Sequence, residues 1–161
     1  MQFTNMERIS RHQMFLEMAE VAAKRSTCFR ANVGAILVHK NNIMSMGYNG
    51  PPAKQEHCTR NKYPLTNEGG CSRSIHAEQN AIERLTVGIK DASLYCTHMP
   101  CIECAKLISK HSIKQVFYRN KYRCEKGIIH LLEKGVFVFR ITESGFIIDE
   151  RTKQIVSFEK A

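Results

Sequence analysis

The spacing of apolar residues changes along the chain from a helical period to a strand-like one. From Met6 to Arg25, apolar side chains recur at roughly helical spacing with charged residues between them, which predicts an amphipathic first helix. Val33 to His39 is an apolar, β-branched run, and a second short run extends from Ile43 to Tyr48. The pair Asn41-Asn42 between them is typical of a turn, so this region is predicted to be a β-hairpin.

Glycine and proline residues are frequent in the next segment, which extends from Asn49 to Ser74 and contains few apolar residues. That composition predicts a long loop. Loops of this length inside compact domains usually serve a functional site. Candidate site residues are therefore expected on this loop and on the elements that flank it.

Beyond the loop, helical and strand-like patterns alternate. The predicted helices are His76–Leu85, Cys101–His111 and Cys124–Lys134, and the predicted strands are Ser93–Thr97, Gln115–Tyr118 and Val136–Ile141. Such alternation predicts an α/β fold in which helices cover the faces of a sheet. In the tail, the segments Phe146–Ile148 and Ile155–Phe158 flank the polar segment Asp149–Lys153, which predicts one further hairpin.

Length and composition are those of one globular domain. A chain of 161 residues can bury one continuous core but is short for two domains, so we expect a single domain over residues 1–161, with residues 141–161 as a C-terminal extension. No apolar run approaches the length that spans a bilayer, and residues 1–7 lack the features of a secretory signal. We therefore expect a soluble, cytoplasmic protein with no membrane partner.

The formal net charge of +9 favours an anionic partner. Charge alone does not separate a mononucleotide, a polynucleotide and a merely solvated basic surface. The chain has no tryptophan, and no basic stripe is interleaved with aromatic residues. A nucleic-acid partner is therefore the less favoured alternative.

The seven cysteines are an odd number, and closely spaced cysteines in a reducing compartment indicate metal binding or catalysis rather than disulfides. Two motifs, His76-Ala77-Glu78 and Pro100-Cys101-Ile102-Glu103-Cys104, each open a predicted helix. One imidazole and two thiolates would make a three-ligand zinc site whose fourth tetrahedral position is left for water, as in catalytic zinc sites. The partial positive charge of a helix N-terminus favours thiolates there.

Glu78 lies two residues beyond His76 and can reach the water at such a zinc from the same first turn. The carboxylate would then take the proton of that water and pass it to a substrate. A non-catalytic zinc module, in which the metal serves only folding, is the alternative from another class. Such a module would need a fourth protein ligand and no carboxylate beside the metal, so Glu78 favours catalysis.

The H-A-E and P-C-x-x-C motifs are together the signature of the cytidine deaminase-like superfamily, which this chain resembles from the first helix to about Ile141. The resemblance implies a three-layer α-β-α sandwich around a mixed sheet of about five strands. Three segments are similar to those of deoxycytidylate deaminases in particular: Arg25–Val38, Gly47–Pro52 and His76–Ile82. The implied reaction is zinc-dependent hydrolysis of dCMP to dUMP and ammonia, which supplies dUMP for thymidylate synthesis.

The same resemblance implies roles for individual residues. Asn49 would hydrogen-bond the sugar hydroxyl, although Asn and Gly are also ordinary turn formers. The backbone around Ala77 would read the pyrimidine edge. The candidates for binding the 5′-phosphate lie near predicted strand ends, where Tyr122 can also stack on the base, and each is otherwise an ordinary surface residue. They are Arg30, Lys121, Tyr122 and Arg123.

Many deoxycytidylate deaminases are homohexamers that dCTP activates together with Mg²⁺ and dTTP inhibits, and the resemblance implies the same here. The turn implicated in their effector site corresponds to Gly47, Tyr48, Asn49 and Gly50. A second, structural zinc is also implied, with three separate cysteines as the alternative. Its candidate ligands are Cys28, His57, Cys58 and Cys71.

Two alternative functions involve the same deamination chemistry but a different substrate. One is a deaminase acting on tRNA or single-stranded DNA, which the basic charge would suit. The Gly-Tyr-Asn-Gly turn and the segment that begins at His76 favour a free nucleotide instead. The other is a deaminase of dCTP, whose extra phosphates would extend into solvent.

Overall fold

Four helices and seven strands are present among residues 8–59, 65 and 71–158, which are the residues that the computed structural model describes. The helices are α1 (Arg11–Ala23), α2 (Ala77–Glu83), α3 (Ile102–Lys110) and α4 (Lys126–Glu133). The strands are β1 (Gly34–His39), β2 (Asn42–Tyr48), β3 (Ala92–His98), β4 (Ile113–Asn120), β5 (Phe137–Ile141), β6 (Ile147–Asp149) and β7 (Ile155–Val156).

The strands form one mixed sheet in the order β2-β1-β3-β4-β5-β6-β7. The central pairs β3–β4 and β4–β5 are parallel and the others are antiparallel. The first five strands match the expected number, and the predicted tail hairpin adds β6 and β7 to the edge of β5. The sheet therefore has seven strands rather than about five, because the tail continues the hydrogen-bonding pattern at an edge that would otherwise be unpaired.

Alternate residues of the central strands point to opposite faces of the sheet and build two separate cores. On one face, side chains such as Leu37, Leu94 and Val116 pack against α2, α3 and α4. On the other face, Tyr95 and Phe117 pack against α1 and the tail. The result is the predicted three-layer α-β-α sandwich, and it places both metal-ligand motifs on the face covered by three helices.

Local backbone chemistry corrects two of the predicted boundaries. The start of the first helix at Met6 lies outside the described residues, but Ser10 is the N-cap of α1 and its Oγ accepts a hydrogen bond from the Gln13 N–H at 3.1 Å. Residues 8 and 9 are therefore not helical. In the first hairpin the positive φ angles are at Lys40 and Asn41, so the turn lies one residue earlier than predicted.

Glu150, which follows β6, connects the tail to the central sheet. The Tyr118 hydroxyl donates a hydrogen bond to Glu150 Oε1 at 2.5 Å, and both side chains are buried. Lys153 also pairs with this carboxylate. In the described part of the chain no helix is both long and apolar enough to cross a membrane.

Candidate metal centre and its cavity

The N-termini of α2 and α3 meet at the carboxyl end of β3. His76 is the N-cap of α2, Cys101 is the N-cap of α3, and Cys104 lies in the first turn of α3. The His76 Nδ1 atom lies 3.3 Å from Cys104 Sγ and 3.4 Å from Cys101 Sγ. Within residues 8–59, 65 and 71–158, only these three side chains form a group of three or more metal-ligating atoms that all lie within 4.8 Å of one another.

The spacing of these atoms fits a zinc ion. With a Zn–N bond of about 2.1 Å and a Zn–S bond of about 2.3 Å at the tetrahedral angle, nitrogen and sulfur ligands lie about 3.6 Å apart. The observed separations of 3.3 and 3.4 Å are close to that value. The donor set of one imidazole nitrogen and two thiol sulfurs is also one that zinc prefers. His76, Cys101 and Cys104 can therefore hold zinc with one position open.

Protons are unequally shared among the three side chains. Hydrogen bonding to Cys101 raises the pKa of His76 to about 9, although burial acts against it. Hydrogen bonding from Cys104 is the main cause that lowers the pKa of Cys101 to about 4. The same interaction, together with burial, raises the pKa of Cys104. A divalent cation binds the deprotonated forms and would displace the remaining protons.

Glu78 lies beside this centre, on the first turn of α2. Its side chain is only 4% exposed and lines the same cavity as His76 and Cys101. Burial raises the pKa of this carboxyl, and the nearby charge of His76 opposes that effect. A buried carboxyl with a raised pKa holds a proton more readily than an exposed one, which suits a group that accepts a proton and returns it.

A cavity opens in front of these residues. Its walls come from the segment that precedes β1, from Asn49, from the start of α2, from His98 and Met99 at the end of β3, and from Tyr122. Cationic side chains stand at this cavity too, since Arg30 and Arg123 are both exposed and both belong to its lining. The cavity therefore joins the metal centre to two guanidinium groups.

The structure brings most of the predicted substrate-binding residues to this cavity. Asn49, Ala77, Arg30, Tyr122 and Arg123 all line it. The Arg123 guanidinium carbon lies 4.9 Å from the centre of the Tyr122 ring, so the two side chains stack.

Lys121 is an exception, because it is not among the residues that line the cavity. Its charge instead helps to lower the pKa of Glu150.

The amide oxygen and the amide nitrogen of the Asn49 side chain both make hydrogen bonds within the protein. Its Oδ1 accepts hydrogen bonds from the Ser26 hydroxyl at 2.6 Å and from the Val33 N–H at 2.9 Å, and its Nδ2 donates to the Ala31 carbonyl at 2.8 Å. An amide oxygen has two lone pairs and an amide nitrogen has two protons. One Nδ2 proton is therefore left for a ligand, and Asn49 would meet a sugar hydroxyl as a donor.

The glycines of the predicted effector turn have a packing role. A Cβ on Gly47 would lie 2.2 Å from the Ala77 carbonyl oxygen, and a Cβ on Gly50 would lie 2.2 Å from Thr27 Oγ1. The Tyr48 carbonyl accepts a hydrogen bond from Asn80 Nδ2 at 2.9 Å. Gly47 and Tyr48 are the last residues of β2, so the segment is a strand end rather than a turn, and Gly47 allows β2 to approach the backbone of α2, which carries Glu78.

The predicted second metal site is only partly assembled. Cys58 Sγ and Cys71 Sγ lie 3.7 Å apart, and Cys28 is near enough for its charge to contribute to the raised pKa of Cys58, for which burial is the main cause. His57 is exposed. No three ligand atoms of this set lie within 4.8 Å of one another in the described residues.

Two cavity features were not singled out from sequence motifs. His98 belongs to neither motif, although it precedes Pro100 closely enough to line the pocket; it does line the cavity, and its Nδ1 is 2.9 Å from Thr97 Oγ1. Ser26 lies just behind the wall, hydrogen-bonded to Asn49. A serine in a polar stretch carries no periodic or motif signal, so only the fold reveals this contact.

Comparison with known families and proteins agrees with this geometry. Residues 9–120 match the family model described as the cytidine and deoxycytidylate deaminase zinc-binding region. The chain is 38% identical over 157 residues to ComE operon protein 2 of Bacillus subtilis (strain 168), covering 95% of this chain and 82% of that protein. It is 36% identical over 137 residues to the deoxycytidylate deaminase of Schizosaccharomyces pombe, covering 74% of this chain but only 40% of that enzyme.

A solved structure is similar as well. The crystal structure of dCMP deaminase from the cyanophage S-TIM5 in complex with dCMP and dUMP superposes with a TM-score of 0.70 at 34% sequence identity. The similarity covers 80% of this chain and 94% of the phage enzyme. The matching region thus includes nearly the whole of a protein crystallised with a pyrimidine nucleotide and its deaminated counterpart.

Proposed function

This chain belongs to the cytidine and deoxycytidylate deaminase family, and on that basis we propose that it hydrolyses dCMP to dUMP and ammonia. The observation that supports the proposal most is the group of His76, Cys101 and Cys104 beside the buried Glu78, at a cavity that also has two arginines in its lining. The cationic side chains of the lining suit a phosphate. The similarity to a dCMP deaminase crystallised with dCMP and dUMP supports the same substrate.

His76, Cys101 and Cys104 would hold the metal. A zinc ion bound by three protein ligands supplies Lewis-acid chemistry that makes a water molecule acidic near neutral pH. Glu78 accepts the proton as the water oxygen adds to carbon 4 of cytosine. It donates that proton to the ring nitrogen, then accepts the second proton of the same water from the new hydroxyl group at carbon 4 and donates it to the departing amine, so that water replaces ammonia.

The remaining cavity residues would orient the nucleotide. The N–H of Ala77 lies in the first turn of α2, where it has no partner within the helix, and it can donate to the pyrimidine edge. One Nδ2 proton of Asn49 can donate to the sugar hydroxyl. Arg30 and Arg123 would bind the 5′-phosphate, and the Tyr122 ring would stack on the base.

Ammonia release from a panel of substrates tests the proposal. The panel is cytidine, deoxycytidine, dCMP, dCTP and a short single-stranded oligonucleotide, at equal cytosine concentration. We expect the highest kcat/KM with dCMP and a clear loss with deoxycytidine, which lacks the phosphate. A preference for dCTP or for the oligonucleotide would contradict the substrate assignment, and no release from any of them would contradict the enzyme class.

Regulation and assembly remain predictions that rest on the resemblance. We infer that dCTP with Mg²⁺ activates the enzyme, that dTTP inhibits it, that residues 47–50 contribute to the effector site, and that the active form is a homohexamer. Adding each effector to the dCMP assay, with the molar mass followed by light scattering, tests these points. Unchanged rates with both effectors would remove the regulatory prediction.

The second structural zinc is likewise a prediction. Cys58 and Cys71 supply two neighbouring sulfurs, and Cys28 is close enough for its charge to affect the pKa of Cys58. Elemental analysis of purified protein should find about two zinc ions per chain if this site exists. If the protein instead contains a single zinc, and this zinc is lost in Cys104→Ser, only the site formed by His76, Cys101 and Cys104 exists.

A further inference from the structure

The segment from Ser26 to Val33 is bound to Asn49 at several points. The Ser26 hydroxyl donates a hydrogen bond to Asn49 Oδ1 at 2.6 Å, and it accepts one from the Cys28 N–H at 3.2 Å. Farther along, the Val33 N–H donates to the same Oδ1 at 2.9 Å, and the Ala31 carbonyl accepts from Asn49 Nδ2 at 2.8 Å. Asn49 therefore closes both ends of a short loop.

This loop is part of the cavity wall. Cys28, Arg30, Ala31 and Val33 all line the cavity, and Arg30 is exposed. Arg30 lies near the middle of the loop, between the two points at which Asn49 holds it. The placement of its guanidinium group therefore depends on how firmly the loop ends are held.

We propose that Ser26 is a positioning residue that, through Asn49 and the loop, holds Arg30 in place to bind the phosphate of the nucleotide. This inference rests on the proposed function and identifies the phosphate as the group that Ser26 affects. Ser26 does not line the cavity, so it acts through other residues and has no part in the proton transfers.

The hydroxyl group is what the role requires. In Ser26→Ala, Asn49 Oδ1 loses one of its two donors and the Cys28 N–H loses its acceptor, so the first end of the loop is held to Asn49 only by the backbone bond from the Thr27 N–H to the Asn49 carbonyl at 3.3 Å. In Ser26→Thr the hydroxyl group is kept. Ser93→Ala is a matched control, because the half-buried Ser93 hydroxyl also donates to a side-chain amide oxygen, that of Gln115 at 2.9 Å, but at the opposite end of β3.

The experiment measures steady-state kinetics on dCMP and the zinc content of wild type and five variants. The variants are Ser26→Ala, Ser26→Thr, Arg30→Ala, the Ser26→Ala/Arg30→Ala double variant and Ser93→Ala. We expect Ser26→Ala to raise KM on the order of tenfold, with kcat within about twofold of wild type and zinc unchanged. Ser26→Thr should restore most of the affinity. The double variant should have the KM of Arg30→Ala alone, because the two residues act through one contact.

Each of three results would overturn the inference. They are an unchanged KM in Ser26→Ala, a loss confined to kcat or zinc content, and additive effects of Ser26→Ala and Arg30→Ala. A wild-type protein that releases no ammonia from dCMP would instead count against the proposed function. The two failures are therefore distinguishable in one set of measurements.

Discussion

The Nδ1 atom of His76 lies 3.3 Å from the Sγ atom of Cys104, although 28 residues separate them in the chain. The contact exists because α2 and α3 both begin at the same end of the sheet, on the face that they share with α4. Two helix N-termini therefore point their partial positive charges at one place, which favours the thiolate form of Cys101, whose pKa is lowered to about 4.

Removing one sulfur should remove the metal. In Cys104→Ser the remaining imidazole and thiolate are too few to hold zinc in a catalytic site, so we expect the zinc content to fall by about one equivalent per chain and activity to be lost. Elemental analysis of the purified variant gives the result. Cys124→Ser is the control, since Cys124 is not part of the metal-ligating group, and an equal loss of zinc in both variants would contradict the assignment.

Replacing the buried carboxyl of Glu78 with an amide should abolish proton transfer and leave the fold unchanged. Glu78→Gln has nearly the same shape but cannot transfer protons, so we expect kcat to fall by about 10² to 10⁴-fold while zinc content and melting temperature stay close to wild type. Glu103→Gln is the matched control, because Glu103 also lies in the first turn of a helix beside the centre but is exposed and pairs with Lys106. Near-normal turnover by Glu78→Gln would disprove the proton-transfer role.

The contact between β2 and α2 should tolerate no added side chain. In Gly47→Ala the new Cβ would lie 2.2 Å from the Ala77 carbonyl oxygen and 2.6 Å from the Ala81 nitrogen, both backbone atoms. We expect a loss of about 1–3 kcal/mol in the free energy of unfolding, together with weaker activity as α2 is displaced. Gly88→Ala, where the Cβ meets nothing within 4 Å, should lose little, and equal unfolding curves for both variants would argue against this packing role.

The carboxyl group of Glu150, in the tail, should make the free energy of unfolding depend on pH. Burial alone would raise the pKa of Glu150, but hydrogen bonds from Lys153 and Tyr118 outweigh it and the pKa is lowered. A carboxyl whose pKa is lower in the folded protein contributes stability above its unfolded pKa of about 4.3 and loses that contribution as the pH falls through the folded value.

Glu150→Gln is therefore expected to be less stable than wild type by about 1–3 kcal/mol at pH 7, and the difference should shrink below about pH 4. Denaturant unfolding of both proteins across that range measures it. Other carboxyls titrate in both proteins and cancel in the difference. A difference that stays constant from pH 7 to pH 3 would mean that the charge on Glu150 is not what stabilises the tail.

Much of the architecture was predictable because it depends on local periodicity. All helices and strands from Val33 to Ile141, and the tail hairpin, lie where the apolar pattern predicts them, with ends that differ by one or two residues in most cases. The differences have local causes that a pattern does not carry. Ser10 begins α1 later than the apolar spacing suggests, and the hairpin turn centres on Lys40 and Asn41.

The sequence by itself determined which residues are the candidates for metal binding and proton transfer. An imidazole, two thiols and a carboxylate at helix starts are recognisable from residue type and spacing alone, because ligand chemistry and helix polarity are local properties. Only the tertiary structure decided which side chains stand behind the site. It uses the Asn49 side chain to hold the loop that carries Arg30, keeps Lys121 away from the cavity lining and adds the tail to the sheet. These arrangements depend on contacts between distant segments, and each is stabilised only once the whole sheet has formed.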